Sequence, residues 1–269
     1  MSTDPALAAK HRAMWASGDY PAVVTDLVAR LGPILVEATG IGPADRVLDV
    51  AAGTGNVAIP AAQTGAFVVA SDLTPELLAA GQQIAAELGV ALEWQEANAE
   101  DLPFADNEFD AVLSSLGVMF APHHQPAADE LVRVCKPGGR IGVISWTPEG
   151  FIGQMFATMK PYVPAPPPGV QPPPLWGSED HVRALLGERV EEFSTHRGTL
   201  TVDHFPTGAA FRDYFKANYG PTITAYRSIS DDAERVAALD AELAELGDRH
   251  LAGSTTMEWE YLLVTARKR

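Results

Sequence analysis

The chain has 269 residues, of which 35 are acidic and 19 are basic, and 46% of them are hydrophobic. This length suffices for one large α/β domain with a sizeable core, so we expect a single domain over residues 1–269. The excess of negative charge repels phosphate backbones and anionic membrane surfaces, which argues against a nucleic acid partner.

The sequence carries no sign of secretion, membrane insertion or a disulfide. No window approaches the roughly 18 apolar residues of a membrane span, and residues 1–20 lack a secretory cleavage pattern. The single cysteine, Cys135, excludes an internal disulfide and a cysteine-rich metal site. We therefore expect a cytoplasmic protein without a membrane span. Its oligomeric state is not readable from the sequence.

The chain begins with a predicted helical cap, residues 1–44. Apolar residues recur there at helical spacing on both sides of a turn, residues 15–21. The turn holds two large aromatic side chains, Trp15 and Tyr20. Either both anchor the cap on the core, or one of them closes over a bound cofactor.

A short buried strand and a glycine turn follow the cap. Val47, Leu48 and Val50 form the apolar run of a strand covered on both faces, and Asp49 is the one acidic residue within it. Gly53 and Gly55 then allow a tight turn and a close approach of the backbone to a ligand. In open α/β sheets, ligands bind at such turns beyond the carboxyl ends of the strands.

Strand and helix patterns alternate along the rest of the chain. Strands are predicted at 47–50, 66–72, 91–97, 109–115, 140–146, 190–199 and 257–266. Helices are predicted at 56–62, 74–88, 128–135, 151–159, 178–186, 207–219 and 231–246. Residues 161–174 contain eight prolines and are predicted to form a stiff loop over the site. The alternation predicts an α/β fold with a doubly wound, mostly parallel sheet.

Two cofactor classes fit the glycine turn. Residues 53–58 satisfy the G-x-G-x-x-A dinucleotide fingerprint, with Asp72 near the distance expected for a ribose contact. The same stretch also resembles motif I of the class I S-adenosylmethionine-dependent methyltransferases, in which an acidic strand-end residue, here Asp49, precedes a glycine-rich loop. The chain has no Tyr-x-x-x-Lys pair that would support a nicotinamide enzyme.

The resemblance to methyltransferases extends over residues 45–146. The stretch 98–104, the pair Phe109-Asp110 and the turn 136–140 are similar to motifs of the ubiquinone and menaquinone C-methyltransferases. This family implies a seven-stranded Rossmann-like sheet whose last strand runs antiparallel between strands five and six. It also implies a cofactor-binding core at 45–146 and a substrate-side part at 147–269, with a helical cap inserted between strands six and seven.

The resemblance implies roles for individual residues toward S-adenosylmethionine. Gly53 and Gly55 would approach its methionine part with Asp49 near the amino end, and Asp72 would bind both ribose hydroxyls. Leu73 would lie against the adenine, and Asn98 and Ala99 would read its edge. The whole expected cofactor set is Tyr20, Asp49, Ala51, Gly53, Thr54, Gly55, Asp72, Leu73, Asn98, Ala99, Glu100 and Ser115.

Two of these residues depart from the family pattern. Asn98 stands where aspartate is common, and its amide oxygen can still accept a hydrogen bond from the adenine amine. Ala51 stands where glycine is common.

The resemblance predicts methyl transfer and leaves the acceptor and the methylated atom open. We expect the N-terminal cap, the loop 116–124, the proline segment and the inserted helices to line the acceptor pocket. The large side chains there suggest a small apolar or aromatic acceptor, unless they simply build the core of the cap: Met119, Phe120, Phe151, Tyr214 and Tyr219. A nicotinamide oxidoreductase, or a cofactor-binding protein of this fold that is not a methyltransferase, stays as the alternative.

Catalytic and metal signals are sparse. Methyl transfer from a sulfonium needs alignment and a dry pocket more than a catalytic group. If the acceptor is a hydroxyl, His124 in the loop after strand four is our candidate base, with His123 as an equal option. Both could instead be solvated residues ahead of a helix. No metal site is expected, because adjacent histidines diverge and no ligand partner stands at suitable spacing.

Overall fold

A computed structural model describes residues 5–269. Its centre is a seven-stranded sheet in the order β3-β2-β1-β4-β5-β7-β6. The strands are β1 Arg46–Val50, β2 Phe67–Asp72, β3 Glu93–Glu96, β4 Phe109–Ser115, β5 Cys135–Trp146, β6 Val190–Val202 and β7 Met257–Lys268. Neighbouring strands are parallel except around β7, which is antiparallel to both β5 and β6. This arrangement confirms the predicted doubly wound, mostly parallel sheet with its last strand between strands five and six.

Helices cover the sheet and connect its strands. The α-helices are α1 Pro5–Trp15, α2 Tyr20–Val23, α3 Leu31–Thr39, α4 Ala58–Gln63, α5 Pro75–Glu87, α6 His124–Val134, α7 Phe151–Met159, α8 Glu179–Leu186, α9 Gly208–Asn218, α10 Gly220–Ser228 and α11 Ala233–Leu251. Helix α2 continues as a π-helix over Val24–Val28. Short 3-10 helices lie at Val118–Phe120, Lys160–Tyr162, Pro173–Gly177 and Gly187–Arg189.

The direction of winding changes beside β1. The chain continues from β1 to β2 on one side, while β4 pairs with the other side of β1. Both β1 and β4 are buried along most of their length, as expected for central parallel strands. The crevice outside their carboxyl ends is the place where open α/β sheets bind ligands. The glycine turn after β1 lies at this crevice.

The helix before strand five ends earlier than its apolar spacing predicts. Cys135 continues the i, i+3, i+4, i+7 stripe of α6, yet its backbone is extended and it pairs with Phe109. The assignment of Cys135 to the helix is therefore wrong, and β5 begins at Cys135 instead of Arg140. The strand register shifts between Phe109 and Ala111, which accommodates the Lys136–Gly139 turn. Cys135 is fully buried, as predicted for a small core residue.

Other bounds also differ from the sequence expectation, and three of these differences change the arrangement of elements. The second helix of the N-terminal segment is divided in two at residues 29–30. Strand β3 is limited to four residues because it is an exposed edge strand that pairs only with β2. Helix α10 was not expected, because a Gly-Pro pair such as Gly220-Pro221 is typical of a loop. In the structure, this proline lies in the first turn of the helix, a position where proline is favourable.

The proline-rich segment lies against the loop that follows β4. The Gln171 backbone N–H donates to the Pro122 carbonyl at 2.9 Å, and the Gln171 side-chain oxygen accepts from the His124 N–H at 3.2 Å. These bonds hold residues 161–174 beside the site. Among residues 5–269, no helix combines the length and the apolar character that crossing a membrane requires.

Candidate functional site: a cavity at the glycine turn

A cavity of about 610 Å³, its mouth included, lies beyond the carboxyl ends of β1, β2 and β4. It is formed by the N-terminal helices, the turns after β1, β2 and β3, the start of α5 and the loop after β4. Its lining residues are His11, Trp15, Tyr20, Ala51, Gly53, Asp72, Leu73, Leu77, Ala97, Asn98, Ala99, Leu116, Gly117, Phe120, Ala121 and Pro122. The cavity therefore brings together seven of the twelve residues expected to bind the cofactor.

The two glycines of the turn play different structural parts. Gly53 has a φ of 56° and lines the cavity, where an added Cβ would lie 3.3 Å from Tyr20 Cε1. Gly55 has a φ of 88°, but its added Cβ would meet Trp94 and Ile59 instead. Both positions favour glycine because their backbones are left-handed. Only Gly53 faces the space that a ligand would occupy.

Asp72 connects the end of β2 to the glycine turn. Its carboxylate accepts hydrogen bonds from the backbone N–H groups of Gly53 and Thr74, each at 2.8 Å. The side chain is buried, and burial raises its pKa above the ordinary value although these N–H groups oppose the shift. Each carboxylate oxygen keeps a second lone pair for a ligand hydroxyl.

Asp49 lies beneath the turn and does not line the cavity. One oxygen accepts the backbone N–H of Ala58, the first residue of α4, at 2.9 Å. The other oxygen, Oδ1, is buried without a hydrogen-bond partner. Burial raises the pKa of Asp49 well above its usual range, and the charge on Asp72 adds to the shift. A cation nearby would favour the ionised form of both carboxyl groups.

Two non-glycine residues of the lining have left-handed backbones. Ala51 and Leu116 each have a φ of 54°, a conformation that costs an L-residue energy. Ala51 occupies the position where the family often has glycine, which agrees with this conformation. Gly117 is confined as well, since an added Cβ would lie 2.4 Å from the Ala51 carbonyl oxygen. The loops after β1 and β4 thus meet closely at the floor of the cavity.

The turn after β3 contributes through its backbone and through Glu100. Asn98 and Ala99 line the cavity, and the Asn98 side-chain oxygen accepts the Glu100 N–H at 3.0 Å. The Glu100 carboxylate accepts the backbone N–H of His123 at 2.7 Å and lies 3.1 Å from its Nδ1. Glu100 therefore ties this turn to the loop after β4 and does not line the cavity.

The N-terminal helices cover the cavity with aromatic rings. The Trp15 ring lies 5.5 Å from Tyr20 and 4.8 Å from Phe120, both edge-on. Tyr20 is close to the buried carboxyl groups, and burial and the charges of Asp72 and Asp49 raise its pKa. His11 lies one turn before Trp15 on α1, and its pKa is lowered because it is buried. Helix α1 is joined to the sheet by Arg12, which donates to the Leu73 carbonyl at 3.0 Å and pairs with Glu96.

Sequence reasoning missed some of the lining and included residues that lie elsewhere. It missed His11, Leu77 and Ala97, of which only His11 had a signal, its i, i+4 spacing from Trp15. The expected cofactor residues outside the lining are Asp49, Thr54, Gly55, Glu100 and Ser115. Thr54 is buried, and the Ser115 hydroxyl is buried without a hydrogen-bond partner.

His124 lies outside the lining, at the start of α6. Its ring is fully buried, and its Nδ1 lies 2.9 Å from Nε2 of His181, so one of the two histidines donates to the other. The Trp176 ring is 5.8 Å away. Burial and the neighbouring His181 lower the pKa of His124 to about 4. His124 is therefore neutral near pH 7. Its side chain is not solvated, and it does not contact the cavity.

A second, narrow cavity adjoins the first and is apolar. The two share Tyr20, Leu116 and Phe120. Its lining residues are Tyr20, Val23, Val28, Leu116, Phe120, Trp146, Ile152, Phe215, Tyr219 and Trp259. Of the residues suggested for an acceptor pocket, Phe120 and Tyr219 line it. Met119 and Phe151 are fully buried in the core, and the Tyr214 hydroxyl donates to Asp26 at 2.8 Å.

The fold and the first cavity together define a class of protein. A glycine turn follows a buried central strand, and an acidic residue ends the neighbouring strand at the same crevice of a doubly wound sheet. This combination is typical of proteins that bind a nucleoside-containing cofactor. Within residues 5–269, no group of three or more potential ligands is placed to hold a metal ion.

Comparison with known proteins identifies a methyltransferase domain within the chain. Residues 48–143 match a family model described as a methyltransferase domain. Over 266 residues the chain is 59% identical to an uncharacterised protein of Mycobacterium tuberculosis, covering 99% of this chain and 97% of that protein. It is 41% identical over 123 residues to a demethylmenaquinone methyltransferase of Mycobacterium sp. (strain KMS), covering 45% of this chain and 50% of that enzyme.

Solved structures share the fold at low sequence identity. The YcgJ protein of Bacillus subtilis superposes with a TM-score of 0.59 at 19% identity, covering 88% of this chain and 97% of that one. A geranyl diphosphate methyltransferase in complex with SAM superposes with a TM-score of 0.53 at 17% identity, covering 90% of this chain and 85% of that one. Residues 48–143 therefore carry a methyltransferase domain, and the chain resembles the class I S-adenosylmethionine-dependent methyltransferases, the quinone methyltransferases among them. The nicotinamide alternative finds no support.

Proposed function

We propose that this protein transfers a methyl group from S-adenosylmethionine to a small apolar or aromatic acceptor. The observation that carries the proposal is the junction of two cavities at Tyr20, Leu116 and Phe120. One cavity has the buried carboxyl group of Asp72 and the glycine turn. The other is apolar. Donor and acceptor would meet where the two cavities join, and each would lie in surroundings that suit its chemistry.

The residues of the first cavity fit S-adenosylmethionine. Gly53 leaves room beside Tyr20 that a side chain would fill, and Asp49 keeps a buried oxygen without a partner. Asp72 would accept from the ribose hydroxyls, Leu73 would lie against the adenine, and Asn98 and Ala99 would contact its edge. When bound, the cofactor supplies a methyl group on a positively charged sulfonium. Carboxylates buried near that charge would complement it.

The second cavity supports the choice of acceptor. Its walls are aliphatic and aromatic, and they are contributed by the N-terminal helices, the loop after β4, β5, β7 and the inserted helices. Such a site excludes water, which favours alignment of two reactants as the source of rate acceleration. An apolar or aromatic small molecule is the class of acceptor that these walls would bind.

The proposal is tested first by calorimetric titration of the folded protein with S-adenosylmethionine and S-adenosylhomocysteine. We expect both to bind at one site. The protein is then incubated with S-adenosylmethionine and a panel of small phenols, quinols, thiols and amines, and products are sought by mass spectrometry. We expect one methyl group to be added to an apolar member of the panel. A folded protein that binds neither cofactor form would contradict the proposal.

The role of His124 as a general base stays a prediction, and its pH dependence is specific. Since its pKa is lowered to about 4, a rate that needs neutral His124 falls only as the pH drops toward 4, not near 6.5. General base catalysis requires that His124→Gln lower kcat about 100-fold with cofactor affinity unchanged. Near-normal turnover of a hydroxyl acceptor by this variant would remove His124 from the mechanism.

The same histidine makes a separate prediction about stability. Between pH 6.5, the ordinary pKa of histidine, and about 4, the unfolded chain binds a proton at His124 that the folded chain does not. His124 therefore makes the folded state less stable as the pH falls through this range. We expect His124→Gln to flatten the fall of Tm between pH 6.5 and 4, measured by differential scanning calorimetry. An unchanged slope would show that His124 is not buried in its neutral form.

A further inference from the structure

Tyr219 carries a hydroxyl group with no hydrogen-bond partner in the interior. It is 6% exposed, ends α9, and packs its ring against Trp15 at 5.9 Å and Phe215 at 5.2 Å. Its hydroxyl makes no hydrogen bond to any of residues 5–269. By contrast, the hydroxyls of Tyr162, Tyr214 and Tyr226 each donate to a carboxylate, at 2.7, 2.8 and 2.6 Å.

The hydroxyl is not fully enclosed by protein, so it is free to bond to a molecule in the cavity. Tyr219 lines the apolar cavity, and a ligand there would supply the partner that the protein does not. Trp259, on the same wall, also has a buried indole Nε1 without a partner. Two hydrogen-bond donors therefore stand unused around one cavity.

Among the described residues that line this cavity, none has a charged side chain. A carboxylate or phosphate on the ligand would be buried there without a counter-ion, which is strongly unfavourable. The ligand must therefore be neutral where it enters the cavity. Its polar atom must accept a hydrogen bond, since a tyrosine hydroxyl and an indole N–H are the groups offered.

We propose that the Tyr219 hydroxyl donates a hydrogen bond to an oxygen of the acceptor, and that the acceptor is a neutral ring compound carrying such an oxygen. The inference rests on the proposed function and adds the class of acceptor and the residue that selects it. Tyr219 is a positioning residue: it fixes the ring while the first cavity holds the donor. Burial and the neighbouring Tyr20 raise the pKa of Tyr219, so it stays a donor at neutral pH. Because the cavity is narrow, its walls must separate for a ring to enter.

Binding of three naphthalene probes tests the inference. The probes are 2-naphthol, naphthalene and 2-naphthoate, each titrated by tryptophan fluorescence into protein saturated with S-adenosylhomocysteine. We expect 2-naphthol to bind at least about tenfold more tightly than 2-naphthoate. Tyr219→Phe should weaken the binding of 2-naphthol about fivefold, which is the contribution of one neutral hydrogen bond. It should leave the affinity for naphthalene unchanged. No binding of 2-naphthol up to its solubility limit, or equal binding of 2-naphthoate, would overturn the proposal.

Tyr226→Phe is the matched control. Tyr226 lies on the next helix, α10, and is similarly buried, but its hydroxyl donates to Asp240. We expect this control to leave probe binding unchanged and to lower Tm by about 2–4 °C or more, since it removes a charge-assisted bond. Tyr219→Phe should leave Tm unchanged, since its hydroxyl makes no hydrogen bond within the protein. A fall in Tm for Tyr219→Phe as large as that of the control would show that its hydroxyl is paired within the protein.

The cofactor site and the role of Tyr219 are tested separately. Titration with S-adenosylhomocysteine comes first and tests the cofactor site alone. If it does not bind, the proposed function is wrong. If it binds and the naphthol contrast or the effect of Tyr219→Phe is missing, only the role of Tyr219 is wrong.

Discussion

Asp72→Ala is expected to weaken the binding of S-adenosylhomocysteine about a hundredfold or more. The variant would lose two charge-assisted hydrogen bonds to ribose hydroxyls, each worth roughly 1.5 to 3 kcal/mol. It would also lose the bonds from the Gly53 and Thr74 N–H groups, which shape the glycine turn. We therefore expect a lower Tm in addition. Isothermal titration calorimetry measures the affinity, and circular dichroism establishes that the variant is folded.

Two further variants separate recognition from stability at this position. Asp72→Asn keeps the shape and one acceptor oxygen, so it should retain more of the fold than alanine while still binding the cofactor poorly. Asp248→Ala removes another carboxylate that accepts a backbone N–H, that of Gly208 at 2.7 Å, far along the chain from the cavity. This control should lower Tm without changing affinity. An Asp72→Ala protein that binds normally would refute the assignment of the ribose contact.

The sheet could be predicted because its information is local. The strands β1 and β4 each hold a short cluster of apolar residues, and each is followed by turn residues within a few positions. The lengths of the apolar segments, the positions of glycine and proline, and the helical spacing then determine how strands and helices alternate. Errors arose where a local pattern was ambiguous. Cys135 continues a helical stripe and still begins a strand, since the paired glycines that follow and the partner Phe109 determine its conformation.

Most of the cofactor residues that were predicted correctly follow strands of the sheet. Gly53 and Asp72 are examples, because parallel strands bring their carboxyl ends to one edge. His11 was missed because it comes from a helix whose docking depends on tertiary contacts, such as that of Arg12 with Leu73. No short pattern encodes that docking. The same limit applied to His124. The sequence placed this residue beside the donor, but its contact with His181 determines how the ring is oriented.

Gly53→Val is expected to abolish cofactor binding, and Gly40→Val is its matched control. Both glycines have left-handed backbones, with φ of 56° and 61°. A branched side chain therefore strains both backbones, by at least about 1–2 kcal/mol. They differ in surroundings: a Cβ at Gly53 meets Tyr20 at 3.3 Å, whereas nothing lies within 4 Å of a Cβ at Gly40. Any loss of affinity beyond that of Gly40→Val then measures the space occupied at the cavity.

The comparison needs both proteins at a temperature where circular dichroism shows them folded. We expect Gly40→Val to bind S-adenosylhomocysteine with wild-type affinity despite a lower Tm. We expect no measurable heat of binding for Gly53→Val, since its methyl groups and the displaced Tyr20 ring would fill the approach to the turn. If both variants bind S-adenosylhomocysteine with wild-type affinity, the cofactor does not lie against Gly53. If both lose affinity, backbone strain spreading through α3 and β1 accounts for the effect, and the close approach at Gly53 must be rejected as its cause.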